Sequence, residues 1–211
     1  MTSISSANIE AWLRRCAEVF TEHKDELTEL DAKIGDADHG ANMARGFSAI
    51  PPKLDPLVDR SIGSLFRTSA MTLISKVGGA SGPLYGTFFL QAARPANGKT
   101  ELTLNELCQC FDTGLAGVVK LGKAVLGDKT MVDALTPALA ALHPKNGDSL
   151  SAALQRAASV ACEAAEATIP LIARKGRASY LGERSAGHKD PGAASSALLL
   201  EALAETVKAS A

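Results

Sequence analysis

Apolar residues in this chain recur every three or four positions and almost nowhere alternate, so the elements they predict are helices. In IEAWLRRCAEVF (9–20), Ile9, Trp12, Leu13, Cys16 and Phe20 share one face. In LTLNELCQCFDTGLAGVV, the residues Leu104, Leu107, Cys108, Phe111, Leu115 and Val118 form a stripe. It opens with Thr103-x-x-Glu106, a capping box that satisfies two orphan amides at a helix start. SLSAALQRAASVACEAAEATI (149–169) reads as a long alanine-rich helix halted around Pro170. SSALLLEALAETVKA (195–209) supplies the last one, and further helices are expected at about 24–33, 41–50, 58–76, 82–95 and 130–142. LHPKNGD (142–148) is a loop by its proline and glycine. The expectation is an all-α single domain over 1–211, about eight helices joined by short loops. Its many small residues let neighbouring axes come close.

Composition removes several classes of function. A formal charge of −1 leaves no global basic field to draw in nucleic acid or an acidic membrane. Four cysteines, Cys16, Cys108, Cys110 and Cys162, include no CxxC pair, which reads as reduced packing residues of a cytoplasmic protein. MTSISSANIEAWLRRC lacks the basic and apolar regions of a signal peptide. No apolar run approaches the roughly 20 residues of a membrane span.

The unusual chemistry gathers at four helix joints. In the first, IGDADHG (34–40), Asp36 and Asp38 flank a small alanine and Asp31 precedes them on a helix end. In an extended loop the three carboxylates would face one point, as Mg²⁺ requires; a glycine turn with a solvated Asp cap is the competing reading. The calcium-loop pattern is absent. The second, VGGASGP (77–83), either aims backbone N–H groups at an anion or lets two helices pack closely, and it is not a P-loop. The third, GDKTM (127–131), is at least a turn and N-cap. The fourth, ARKGRASYLGERSAGHKDPGA (173–193), holds Arg174, Lys175, Arg177, Arg184, His188 and Lys189. Such a run either neutralises phosphate or is a solvated loop, and Tyr180 alone offers a ring for stacking bases. Together the four joints suggest a Mg²⁺–nucleotide site built on helices.

LDAKIGDADHGANMARGF, SKVGGASGPLYGTFF, GDKTM and the 173–193 run resemble the nucleotide-binding L subunit of dihydroxyacetone kinases, over nearly the whole chain. The resemblance implies a closed up-and-down barrel of antiparallel helices with tightly bound ADP or ATP at one end. It implies that Asp31, Asp36 and Asp38 hold two Mg²⁺ ions bridging the phosphates. His39, Gly40, Ala41, Asn42, Ala80 and Ser81 would contact phosphates or ribose. Gly122 and Met131 would shape the adenine pocket, and Arg177, Asp190, Pro191 and Gly192 would close the site.

It further implies a subunit that works with partners. A K subunit holds dihydroxyacetone covalently through a histidine. In the phosphotransferase-system version, a phosphohistidine M subunit recharges ADP in place at the expense of phosphoenolpyruvate. No nucleophile or general base is expected on this chain, so neither His39 nor His188 is assigned as one. The alternative is the L component of an ATP-exchanging kinase for dihydroxyacetone or another ketose such as erythrulose. A homodimer is left open.

Overall fold

The computed structural model describes residues 3–145 and 147–209. The first two positions of the signal-peptide reading, and Asn146 within the expected 142–148 loop, lie outside these. Among the described residues the chain forms ten α-helices rather than about eight: α1 Ser6–Glu22, α2 Lys24–Ile34, α3 His39–Ser48, α4 Pro51–Leu54, α5 Ile62–Lys76, α6 Ser81–Ala92, α7 Leu104–Gly122, α8 Met131–Leu142, α9 Leu150–Glu166 and α10 Pro191–Ala209. A 3-10 helix, Arg177–Ser185, and two short strands, β1 Ser3–Ser5 and β2 Glu101–Thr103, complete it. The strands pair antiparallel with Ile4 opposite Leu102.

Local chemistry explains where these elements depart from the periodicity. Pro51 and Pro52 preset the backbone for the added short turn of α4. Helix α5 starts at Ile62 rather than 58 because the Ser61 hydroxyl caps it, accepting the Ser64 N–H. Helix α10 starts four residues before the expected 195, since Asp190 accepts the Ala193 N–H at 2.7 Å and Pro191 has no donor to lose. Part of the basic run, expected as loop, winds into the 3-10 helix, kinked at Gly182 with φ 56°. Strands of three residues are too short to leave an alternating pattern.

Sequence neighbours pack on one another through α5, α6, α7, α8, α9 and α10. Further pairings join α1 to α10 and α3, α2 to α3 and α10, and α3 to α5. The core centres on Trp12, whose ring lies 6.3, 5.8 and 5.9 Å from Phe66, Phe89 and Phe111. Its indole Nε1–H donates to Leu199 O at 2.9 Å, joining α1 to α10. Small residues do bring axes together: a Cβ on Gly114 of α7 would stand 2.8 Å from Phe88 O of α6.

Candidate functional site

The joint after α2 is a tight turn rather than an extended loop, with Ala37 in the left-handed region at φ 61°. The turn folds Asp36 and Asp38 back over Asp31, so that one oxygen from each carboxylate lies within 4.8 Å of the others. Asp31 is buried, and its Oδ2 accepts the amides of Asp38 and His39 at 2.9 and 3.1 Å. A Cβ on Gly35 would fall 2.0 Å from Asp31 Oδ1, so a side chain here would turn the carboxylate away. Three carboxylates this close favour a cation among them, and their all-oxygen donor set matches a hard ion such as Mg²⁺.

The nest opens onto a pocket of about 300 Å³. Helices α3, α6, α8 and α10 begin at its wall, contributing His39, Ser81, Met131 and Pro191. Four helix N-termini place the positive ends of four macrodipoles around one volume, a field that favours negative charge there. Neither α3 nor α6 carries a side-chain cap, which leaves first-turn amides of α6 for a ligand. Leu84, Val118, Ala124, Met131 and Val132 give the pocket an apolar wall suited to a flat ring. Arg177 closes another side and lies 3.0 Å from Asp36.

The family model for the DAK2 domain matches residues 33–205, most of the chain. The chain belongs to the DAK2-domain family. It is 50% identical over 208 residues to the ADP-binding subunit DhaL of the PEP-dependent dihydroxyacetone kinase of Escherichia coli strain K12, covering 98% of this chain and 99% of that one. It is 37% identical over 202 residues to the L-erythrulose 1-kinase of Mycolicibacterium smegmatis, covering 94% of this chain and 35% of that one. Among solved structures, the dihydroxyacetone kinase of C. freundii in complex with AMP-PNP and Mg²⁺ superposes with a TM-score of 0.73 at 31% identity. That match covers 94% of this chain and 34% of the other.

In this DAK2 domain the pocket gathers Asp31, Asp36, Asp38, His39, Ala80, Ser81, Gly122, Met131, Arg177, Asp190, Pro191 and Gly192. Gly40, Ala41 and Asn42 lie beside it instead of on its wall. Gly40 packs α3 against α2, where a Cβ would strike Lys24 O at 1.9 Å. Asn42 accepts from Arg45 and stands against Gly78 of the glycine loop. Within that loop Gly78 and Gly79 line the pocket, while Gly82 and Gly86 are packing positions against α5 and the turn that follows it, as the close-packing reading expected. The basic run does not act as one patch. Lys175 and Arg177 face the pocket, Lys189 pairs with Glu166 at 2.7 Å, and Tyr180 is exposed.

Tyr85, Ser195 and Lys129 left little trace in the sequence, although they support residues that did. His39 is held between two hydroxyls, with Nδ1 3.2 Å from Ser81 Oγ and Nε2 2.9 Å from Ser195 Oγ. Tyr85 completes the network, its hydroxyl 2.7 Å from Ser195 Oγ and 3.0 Å from Ser196 Oγ. Burial lowers the His39 pKa, with Asp31 and Asp38 pulling the other way, so the imidazole is set as a neutral bridge. Burial, reinforced by Asp133, pushes the Asp190 carboxyl up to about 7 against the amide of Ala193. Lys129 also lines the pocket, fully buried, in a turn whose motif gave no reason for burying a charge.

Proposed function

We propose that this chain is the ADP-binding subunit of a phosphoenolpyruvate-dependent dihydroxyacetone kinase. It keeps its nucleotide between two partners: a phosphohistidine M subunit that recharges ADP, and a K subunit that holds dihydroxyacetone and receives the γ-phosphoryl group. The observation that carries the reading is a carboxylate nest and four helix N-termini sharing one pocket, in a chain that aligns end to end with a stand-alone ADP-binding subunit.

Asp31, Asp36 and Asp38 would hold two Mg²⁺ ions, and the confinement of Asp31 against Gly35 supports that assignment. The ions supply positive charge to phosphate oxygens on which negative charge spreads during transfer. The N-terminus of α6 and the glycine loop orient the phosphates through backbone N–H groups. Arg177 neutralises from the opposite side, and the wall around Met131 and Gly122 receives the adenine. The chain's contribution is thus positioning and neutralisation, and no side chain has to exchange a proton with substrate. Consistent with this, His39 donates and accepts within a closed network of hydroxyls.

The pairings from α5 through α10, with those of α3 to α5 and α2 to α10, support a closed barrel of antiparallel helices serving as one nucleotide-binding domain. Among the described residues no helix is long and apolar enough to cross a membrane, and we place the subunit in the cytoplasm with its partners. A second reading, an L component that exchanges free ATP for a kinase of another ketose, is favoured by the likeness to the L-erythrulose 1-kinase.

Chromatography of nucleotide released by denaturing freshly purified protein, before and after a chelator wash, tests both. Near-stoichiometric ADP that survives desalting and leaves on chelation is the expected result. Empty protein that binds ATP reversibly would move the assignment to the exchanging kinase, and protein that binds neither nucleotide would overturn both.

A further inference from the structure

The Lys129 side chain is 1% exposed and ends among four main-chain carbonyls. Its Nζ lies 2.5 Å from His188 O, 2.7 Å from Ser185 O, 3.0 Å from Leu171 O and 3.3 Å from Ile169 O. All four acceptors lie between α9 and α10, Ser185 at the end of the 3-10 helix and the others in irregular backbone. Lys129 itself stands in the turn before α8, at φ 63°, two residues ahead of Met131. Buried carbonyls without a donor are costly. Ile169 O also accepts the Gly187 N–H at 2.8 Å, so the ammonium matters most to the carbonyls of Leu171, Ser185 and His188, which converge on the same point. An ammonium brings three N–H donors and a positive charge to that point, which no neutral side chain of similar length does.

The tether joins parts of the pocket that are remote in sequence. The segment it gathers carries Arg177, which reaches Asp36, and runs into Asp190 at the start of α10. That start also abuts the turn: a Cβ on Gly192 would stand 3.3 Å from Met131 N. One main-chain bond, from Arg174 N–H to Asp128 O at 3.0 Å, runs beside the ammonium. We propose that Lys129 is a positioning residue of the nucleotide site, an internal cation that binds the 169–188 segment to the turn before α8 and so holds Arg177 against the carboxylate nest. This rests on the nucleotide-binding reading for its functional consequence, whereas the tether itself does not.

The test uses the full chain with Lys129→Met and Lys129→Ala variants. Amide hydrogen exchange is read by segment, and calorimetry gives ADP affinity at fixed Mg²⁺. Lys129→Met is expected to lose protection across 169–188 while α5 and α6 keep theirs, and to bind ADP about tenfold or more weakly. Lys129→Ala removes three carbons and the nitrogen, so n-propylammonium, but not the uncharged propan-1-ol of the same size, is expected to restore both protection and affinity. Unchanged protection and affinity in Lys129→Met would overturn the proposal. So would loss of protection over the whole molecule in both variants, since a local tether is not required by α5 and α6. Wild-type chain that binds no ADP would remove the nucleotide reading and leave the exchange data to decide the tether alone.

Discussion

Arg177 Nη2 lies 3.0 Å from Asp36 Oδ2, so one carboxylate of the nest is already paired with the segment that closes the pocket. Both side chains are substantially exposed, and a surface pair of this kind contributes about 0–1 kcal/mol to folding. Its importance is in where it holds the two groups. Replacing Asp36 or Asp38 with Asn is expected to leave the melting temperature of the nucleotide-free protein nearly unchanged. ADP affinity measured with Mg²⁺ should fall by about tenfold or more, the loss of one charged ligand. With chelator present, variants and wild type should bind equally weakly. Equal affinity with Mg²⁺ would remove the metal assignment.

Gly35→Ala tests the nest without changing a charge. The added Cβ meets Asp31 Oδ1 at 2.0 Å and the Asp31 carbonyl at 3.0 Å, so the carboxylate must turn away. Calorimetric titration with Mg²⁺–ADP should show a loss comparable to that of Asp36→Asn, while circular dichroism keeps the helical signal. Wild-type affinity in Gly35→Ala would mean that Asp31 is free to move and is not a fixed ligand.

Asp190 links stability to pH with a defined sign. Its ordinary value near 3.8 describes the unfolded chain, while the folded carboxyl titrates at about 7. Between these the folded state holds a proton that the unfolded state has lost. This contribution to stability is therefore complete below about pH 4 and declines as pH rises to about 7, by at most about 1.4 kcal/mol per unit. Asp190→Asn keeps an oxygen for the Ala193 N–H and removes the titration. Urea unfolding between pH 4 and 8 should show a smaller decline in Asp190→Asn than in wild type, and parallel curves would refute the assignment.

Gly114→Ala probes the close approach of α6 and α7. A Cβ there comes 2.8 Å from Phe88 O and 2.9 Å from the Phe88 ring. Overpacking of this kind costs typically about 1–3 kcal/mol. The expected outcome is a lower thermal midpoint with ADP affinity per folded molecule much less affected, since Gly114 does not itself line the pocket.

How much of this was legible in the sequence follows from the range of each interaction. The stripe from Leu104 to Val118 and the Thr103–Glu106 box act within a few residues, and both appear as expected, with the Glu106 N–H reaching the Thr103 hydroxyl. The carboxylate cluster was legible because Asp31, Asp36 and Asp38 fall within eight positions. Where Asp190 sets the start of α10, a local cap outweighed an apolar stripe that begins later. Lys129 was not legible, because the carbonyls that need its charge lie 40–59 residues away and carry no side-chain signature. The Tyr85–Ser195–His39 network hides for the same reason. Gly40 packs on Lys24 of α2 and Asn42 stands against Gly78, contacts that only the placement of α3 reveals.

The bond from the Trp12 indole to Leu199 O spans 187 residues and lies at the middle of the aromatic cluster. During synthesis at about 5–20 residues per second, α1 therefore waits roughly 10–40 s for its partner to be made. Throughout that interval Trp12 has no α10 to close over it, although Phe66, Phe89 and Phe111 are made earlier. Until α10 has been made the nascent chain leaves that side of Trp12 uncovered, so its vulnerability to aggregation is set by elongation speed and chaperone cover as well as by final stability.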